Sequence, residues 1–255
     1  MKELPFSFET PLKEGVIVQR KSQFIMKVII DGLEQNCHCP TTNRIADINV
    51  SGLSCLISIS NDKKRKTPYT VEAFSLDTLE NNDKQWIGIN QNAANRYVEH
   101  FLITGQLHMM KLDISSIKRE KFLGESKIDF LLGSIYLEVK TPFTRIQLDI
   151  PDYVKRTKMS EFNSFDRFLR HISEMTAKLK SGERAILLNC FIYDNPGFKV
   201  PSLMSHTKKM TDEIRRCVDR GLELWQVSLK ITPCAVTLIR CFELTPSFLN
   251  GTMFY

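Results

Sequence analysis

The chain has 255 residues, 42% of them apolar and 25% charged, with a formal net charge of +6. That length holds one or two packed domains, and the balance excludes a mainly disordered or fibrous chain. Lys, Arg or Asp interrupts every apolar run well before the about 18 consecutive residues of a membrane span, so no membrane partner is expected.

Strand patterns dominate the first eighty residues: Val16 to Val18, Phe24 to Ile30, Leu53 to Ile59 and Tyr69 to Phe74. Asp31-Gly32 and the polar run Ser60 to Lys66 separate them as turns. Short strands at this spacing predict a small barrel of the OB type over residues 1–84, an architecture that often binds nucleic acid strands. From Asn90 to Phe101 the apolar residues Ala93, Ala94, Tyr97, Val98 and Phe101 recur at helical intervals. This helix opens a second unit, residues 85–245. Ile128 to Leu132 and Ile135 to Val139 are apolar strands joined by Gly133-Ser134, a pair suited to a tight hairpin. An amphipathic helix follows over Ser164 to Lys180, then a strand from Ala185 to Tyr193, a helix from Thr211 to Arg220 and a strand from Leu222 to Ile231. That order predicts an α/β domain on a mixed sheet. Cys234 to Leu244 supplies one more strand, and residues 246–255 read as a C-terminal tail.

The hairpin carries the chemistry. Glu138 and Lys140, two apart, share one face of their strand, and a turn centred on Gly133-Ser134 brings Asp129 beside Glu138. Two carboxylates and an ammonium group are what metal-assisted phosphodiester hydrolysis requires: hard oxygen ligands for Mg²⁺ or Mn²⁺, and a cation to orient water or steady charge on phosphorus. A third carboxylate is sought nearby, in Glu99 on the preceding helix or in Glu125. An ordinary solvent-facing Glu/Lys pair is the competing reading. The apolar flanks Ile128, Phe130, Leu137 and Val139 weigh against it, because a buried hairpin does not carry idle charges.

The basic excess suits a polyanion. Lys63-Lys64-Arg65-Lys66 stands between two barrel strands, and with Arg20, Lys21, Phe24 and Tyr69 it would form a basic, aromatic-bearing groove; a solvated loop is the alternative. Asn43 and Arg44 are a second expected contact. Cys37-His38-Cys39 does not make a zinc site, because neighbours on a strand point to opposite faces. The seven cysteines are odd in number and scattered behind a charged opening segment, which implies a reducing cytoplasm. His171 lies either at the mouth of the site or on the surface.

Several segments together resemble the sugar fermentation stimulation protein family: residues 18–24, 38–45, 65–70 and 88–99, then Ile117-Lys118-Arg119-Glu120, Ser126 to Leu132 and Leu137-Glu138-Val139-Lys140. The resemblance implies an OB-like barrel that binds DNA, followed by a restriction-endonuclease-like domain of the PD-(D/E)xK type. It places Asp129, Glu138 and Lys140 on the nuclease-like motif, with Asp129 and Glu138 as metal ligands, and Glu99 on the helical acid such folds often add. A metal-dependent nuclease is the expectation, and a non-catalytic DNA-binding regulator on the same scaffold is the alternative.

Overall fold

A computed structural model describes residues 4–41, 45–62, 64–124, 126–143, 145–157, 166–177, 179–200 and 207–253. After a short strand, β1 (Phe6–Ser7), come β2 (Lys13–Arg20), β3 (Ile25–Ile30), β4 (Leu33–His38), β5 (Ser54–Ile59) and β6 (Tyr69–Ser75). These last five close into a barrel. Antiparallel ladders join β2 to β3, β3 to β4, β2 to β5 and β5 to β6, and a parallel contact of Cys37 with Tyr69 and His38 with Thr70 shuts the ring. Ile17, Met26, Val28, Cys55, Ile57, Val71 and Phe74 fill the interior, which is the alternation the sequence displays.

The second unit comprises β7 (Trp86–Gly88), α1 (Gln91–Ile103), β8 (Ile117–Leu123), β9 (Ser126–Leu132), β10 (Ile135–Lys140), α2 (Asp166–Ala177), β11 (Arg184–Phe191), α3 (Thr207–Asp219), β12 (Leu222–Ile231), β13 (Ala235–Glu243) and α4 (Thr245–Leu249). Its sheet runs β8-β9-β10-β11-β12-β13-β1; the β10-β11 and β11-β12 pairs are parallel and the others antiparallel. One face packs on α1 through Ala93, Ala94, Tyr97, Val98 and Phe101 against Leu137, Val139, Leu188 and Val227. The other packs on α2, α3 and α4 through Leu169, Ile172, Met175, Cys217 and Phe248 against Leu187 and Leu224. Among the described residues no helix is long and apolar enough to cross a membrane.

Three boundaries differ from the sequence reading. Phe6–Ser7 pairs with β13, and Phe6 stacks edge-on against Tyr97, so this segment belongs to the second unit rather than to the barrel. Residues 246–253 are not a tail: Phe248 and Met253 are buried under the α3 face, and the Val200 amide donates to the Met253 carbonyl. β8 is a further strand that its run of charges had hidden, exposed along most of its length as an edge.

The two units are bound together on both sides of β10. Asn90 caps α1 by accepting from the Ala93 amide, and its own amide donates to buried Glu72 of β6 at 2.7 Å. Gly88 of β7 pairs with Ala73 of the barrel strand β6 and donates to the Ile192 carbonyl of the second unit at 2.7 Å, so close that a Cβ there would meet the Ile192 side chain at 2.2 Å. Beyond Lys140, a strap crosses to the barrel and buries Phe143, Ile146 and Val154 in the barrel cluster. It is tied there by Arg156 to Asp47 at 2.7 Å and by the Asn49 amide to the Lys155 carbonyl.

Candidate metal centre and its nucleic-acid face

The β9-β10 hairpin turns at Gly133 and Ser134, with Ile135 opposite Leu132. Gly133 takes φ 58°, a left-handed conformation that glycine adopts without strain, and the atom nearest to a Cβ there, Asp113 Oδ2 at 2.8 Å, ends an exposed side chain that can move aside. Pairing with β10 runs as far as Leu137 opposite Phe130 and stops one step short of Asp129 and Glu138. On the other side, the β8-β9 ladder passes from Arg119 opposite Phe130 to Lys121 opposite Ile128, skipping Asp129 and leaving Glu120 at φ 53°. Asp129 therefore sits at a break in both ladders. Ile128 packs in the cluster of α2 and α3 while Phe130 packs in the cluster of α1, a change of face that two residues of regular strand would not produce.

The break turns the Asp129 carboxylate to new partners. Its Oδ2 accepts from the Val139 amide at 2.8 Å and its Oδ1 from Asn95 Nδ2 of α1 at 2.8 Å. Burial raises its pKa, and the negative charge of Glu138 raises it further. Glu138 is 2% exposed. Its Oε1 receives both the Lys140 ammonium and His171 Nδ1 of α2, the latter at 3.1 Å. Because a carboxylate only accepts, Nδ1 carries the ring proton in this contact. Glu138 Oε2, equally buried, has no hydrogen-bond partner among the described residues.

Asp129, Glu138 and Lys140 are thus gathered at the open end of β10. Glu99 is not: one turn beyond Asn95, it pairs with Arg119 of β8 at 3.2 Å. Asn95 takes the place expected of it, as a partner of Asp129 rather than a third acid. Glu125 lies outside the described residues. His171 is buried against Glu138, which its position on an amphipathic helix allows but does not reveal.

On the barrel, Lys21, Phe24, Lys64, Arg65 and Lys66 are exposed, and Tyr69 is half-buried. Arg20 is occupied structurally, donating to the Gln23 and Thr41 carbonyls at 2.8 and 2.6 Å. Arg65 donates to Thr70 Oγ1 at 3.2 Å, and its charge, after burial, lowers the His38 pKa. Asn43, Arg44 and Lys63 lie outside the described residues. Cys37 and Cys39 are buried and His38 is half-exposed between them; burial pushes the Cys37 thiol up to about 11, far from a metal-binding thiolate. This part of the barrel adjoins the hairpin's open end. Thr41 Oγ1 donates to the Ile89 carbonyl, and Gln91 Nε2 at the start of α1 reaches the Thr141 carbonyl, one residue past Lys140.

Comparison with known proteins agrees with this architecture. Residues 18–89 match the family model described as the SfsA N-terminal OB domain, and residues 92–235 match the sugar fermentation stimulation protein RE domain. A sugar fermentation stimulation protein homolog from Pseudoalteromonas atlantica is 30% identical over 242 residues, covering 91% of this chain and 96% of the relative. Another from Synechococcus sp. strain JA-3-3Ab is 32% identical over 191 residues, 72% of this chain and 73% of the relative. A solved structure of Pyrococcus furiosus SfsA, in complex with Ca²⁺, superposes with a TM-score of 0.71 at 19% identity, covering 95% of this chain and 98% of that one, which shows a shared fold. A barrel and an α/β sheet each matched in order, and relatives aligned over nearly the full length, mean that the chain belongs to the sugar fermentation stimulation protein family.

Proposed function

We propose that this protein is a nuclease dependent on Mg²⁺ or Mn²⁺, with Asp129 and Glu138 holding the ion and the barrel holding DNA. The observation that carries the reading is the asymmetry of Glu138, whose Oε1 is saturated by two donors while the buried Oε2 meets none among the described residues. A buried acceptor left so costs about 1–3 kcal/mol, more when charged, and a cation removes that cost. Among the described residues no three His, Cys, Asp or Glu side chains cluster as a metal cage. Two carboxylates fit Mg²⁺ nonetheless, since that ion favours one or two, with water and substrate phosphate completing its octahedron. The Ca²⁺ complex of the Pyrococcus protein supports the same fold accepting a hard cation.

The bound ion would polarise a phosphoryl oxygen and acidify a water. Lys140, 35% exposed at its side chain, is placed to orient that water or to offset charge developing on phosphorus. Asn95 and the Val139 amide hold Asp129, and His171 holds Glu138, so the two acids stay aligned despite their repulsion. Lys21, Lys64, Arg65 and Lys66 would take phosphates beside Phe24 and Tyr69, on a barrel that hydrogen bonds tie to the start of α1. The test is cleavage of end-labelled single- and double-stranded DNA with Mg²⁺ or Mn²⁺, comparing the native protein with Asp129→Ala and Lys140→Ala. Each variant should lose at least about 100-fold in rate while binding DNA nearly as before. Native protein that binds DNA with no metal-dependent cleavage would instead make the scaffold a non-catalytic regulator.

A further inference from the structure

We infer that the tip of the β8-β9 hairpin is a stacking platform for an unpaired nucleotide lying next to the Asp129 site. The inference rests on nucleic acid being the ligand, as proposed above. Phe122 is 69% exposed, more than any other large apolar side chain among the described residues, and it contributes to no core cluster. It stands opposite Lys127, whose ammonium lies 5.8 Å from its ring centroid. A lone exposed apolar residue is unremarkable, but this one is set in charge. Lys121 precedes it on β8 and has no partner among the described residues, Lys127 also pairs with Glu120, and Lys118 and Arg119 lie further along the same strand, Arg119 paired with Glu99.

Position gives the patch its meaning. Lys127 is two residues from Asp129 on β9, about 7 Å at the rise of a strand and so about two stacked bases away. A strand of nucleic acid engaging Asp129 would pass over this tip. An aromatic face beside cations is the arrangement that binds single strands, since any base can stack and its phosphate is met at once. The open edge of β8 could instead receive a second copy of the chain. That pairing would set Lys118, Arg119 and Lys121 against the like charges of its partner, which sheet edges use to prevent association.

The test uses the full chain in chelator, so that binding is read without cleavage. A single-stranded 20-mer DNA carrying 2-aminopurine and a blunt duplex of the same sequence are titrated with native protein, Phe122→Ala and Phe122→Trp. Phe122→Ala should weaken single-strand binding about fivefold or more, the lower end for one stacked base, and lose the stacking quench of 2-aminopurine. Phe122→Trp should restore both, and duplex affinity should change less than twofold. Native and Phe122→Ala proteins binding the single strand alike would overturn the inference while leaving the barrel as the DNA site. A native protein with no affinity for either DNA would remove both readings together. A dimer that Phe122→Ala converts to monomer would also overturn it, assigning the edge to self-association. DNA bound through Phe122 but never cleaved would uphold the platform and defeat only the nuclease.

Discussion

The contact between His171 and Glu138 yields the sharpest quantitative expectation. His171→Ala removes one of two donors to Glu138 Oε1 and leaves Lys140 as the other. A hydrogen bond to a charged group contributes about 1.5–3 kcal/mol. With about 1.4 kcal/mol for each factor of ten, its loss corresponds to between about tenfold and about a hundredfold in how well Glu138 is held for an ion. The usual effect of removing a residue that orients a metal ligand, about 10- to 100-fold in affinity, agrees. Mn²⁺ titrated calorimetrically into native protein, His171→Ala and His171→Asn at one pH reads this directly, without reference to activity. Asn supplies an N–H near the place of Nδ1, so it should recover most of the affinity that Ala loses. Native-like Mn²⁺ affinity in His171→Ala, within about threefold, would show that Glu138 needs no such support and would refute the reasoning.

Two further outcomes follow from burial. The raised pKa of Asp129 means that the folded state takes up its proton more readily than the unfolded chain. The stability this group contributes is therefore full below about pH 4, its ordinary range, and is lost as pH rises through the raised value. Asp129→Asn removes the penalty, so in metal-free buffer its melting temperature should exceed the native value at pH 7 and the difference should shrink toward pH 4; a gap that stays constant with pH would contradict this. Phe248→Ala tests whether the C-terminal segment is core: a ring 2% exposed, with the Arg215 guanidinium 5.3 Å from its centroid, should cost about 3–5 kcal/mol in urea unfolding, whereas a tail residue would cost under about 0.5 kcal/mol.

Much of this was legible beforehand. Strand alternation in residues 16–74 announced the barrel, helical spacing from Ala93 to Phe101 announced α1, and Gly133-Ser134 announced the hairpin that brings Asp129 toward Glu138. These are short-range regularities, written in the residues that form them. Asn95 and Glu99 illustrate the limit: both lie on α1 one turn apart, and only the crossing of helix over sheet decides that Asn95 meets Asp129 while Glu99 meets Arg119. The pairing of Phe6–Ser7 with β13 joins residues more than two hundred positions apart, and Phe248 is buried by a helix elsewhere in the chain.

The amino-acid order by itself determined which chemical groups are present and which elements they ride on: two acids and a lysine on one hairpin, cations and aromatics on a barrel. Only the tertiary structure decided how those groups are placed and partnered. The break in both ladders at Asp129, the donor that α2 brings to Glu138 and the unmet oxygen behind it all arise where separate elements pack. Local periodicity carries no information about such contacts, because their energy comes from partners that the sequence holds far apart.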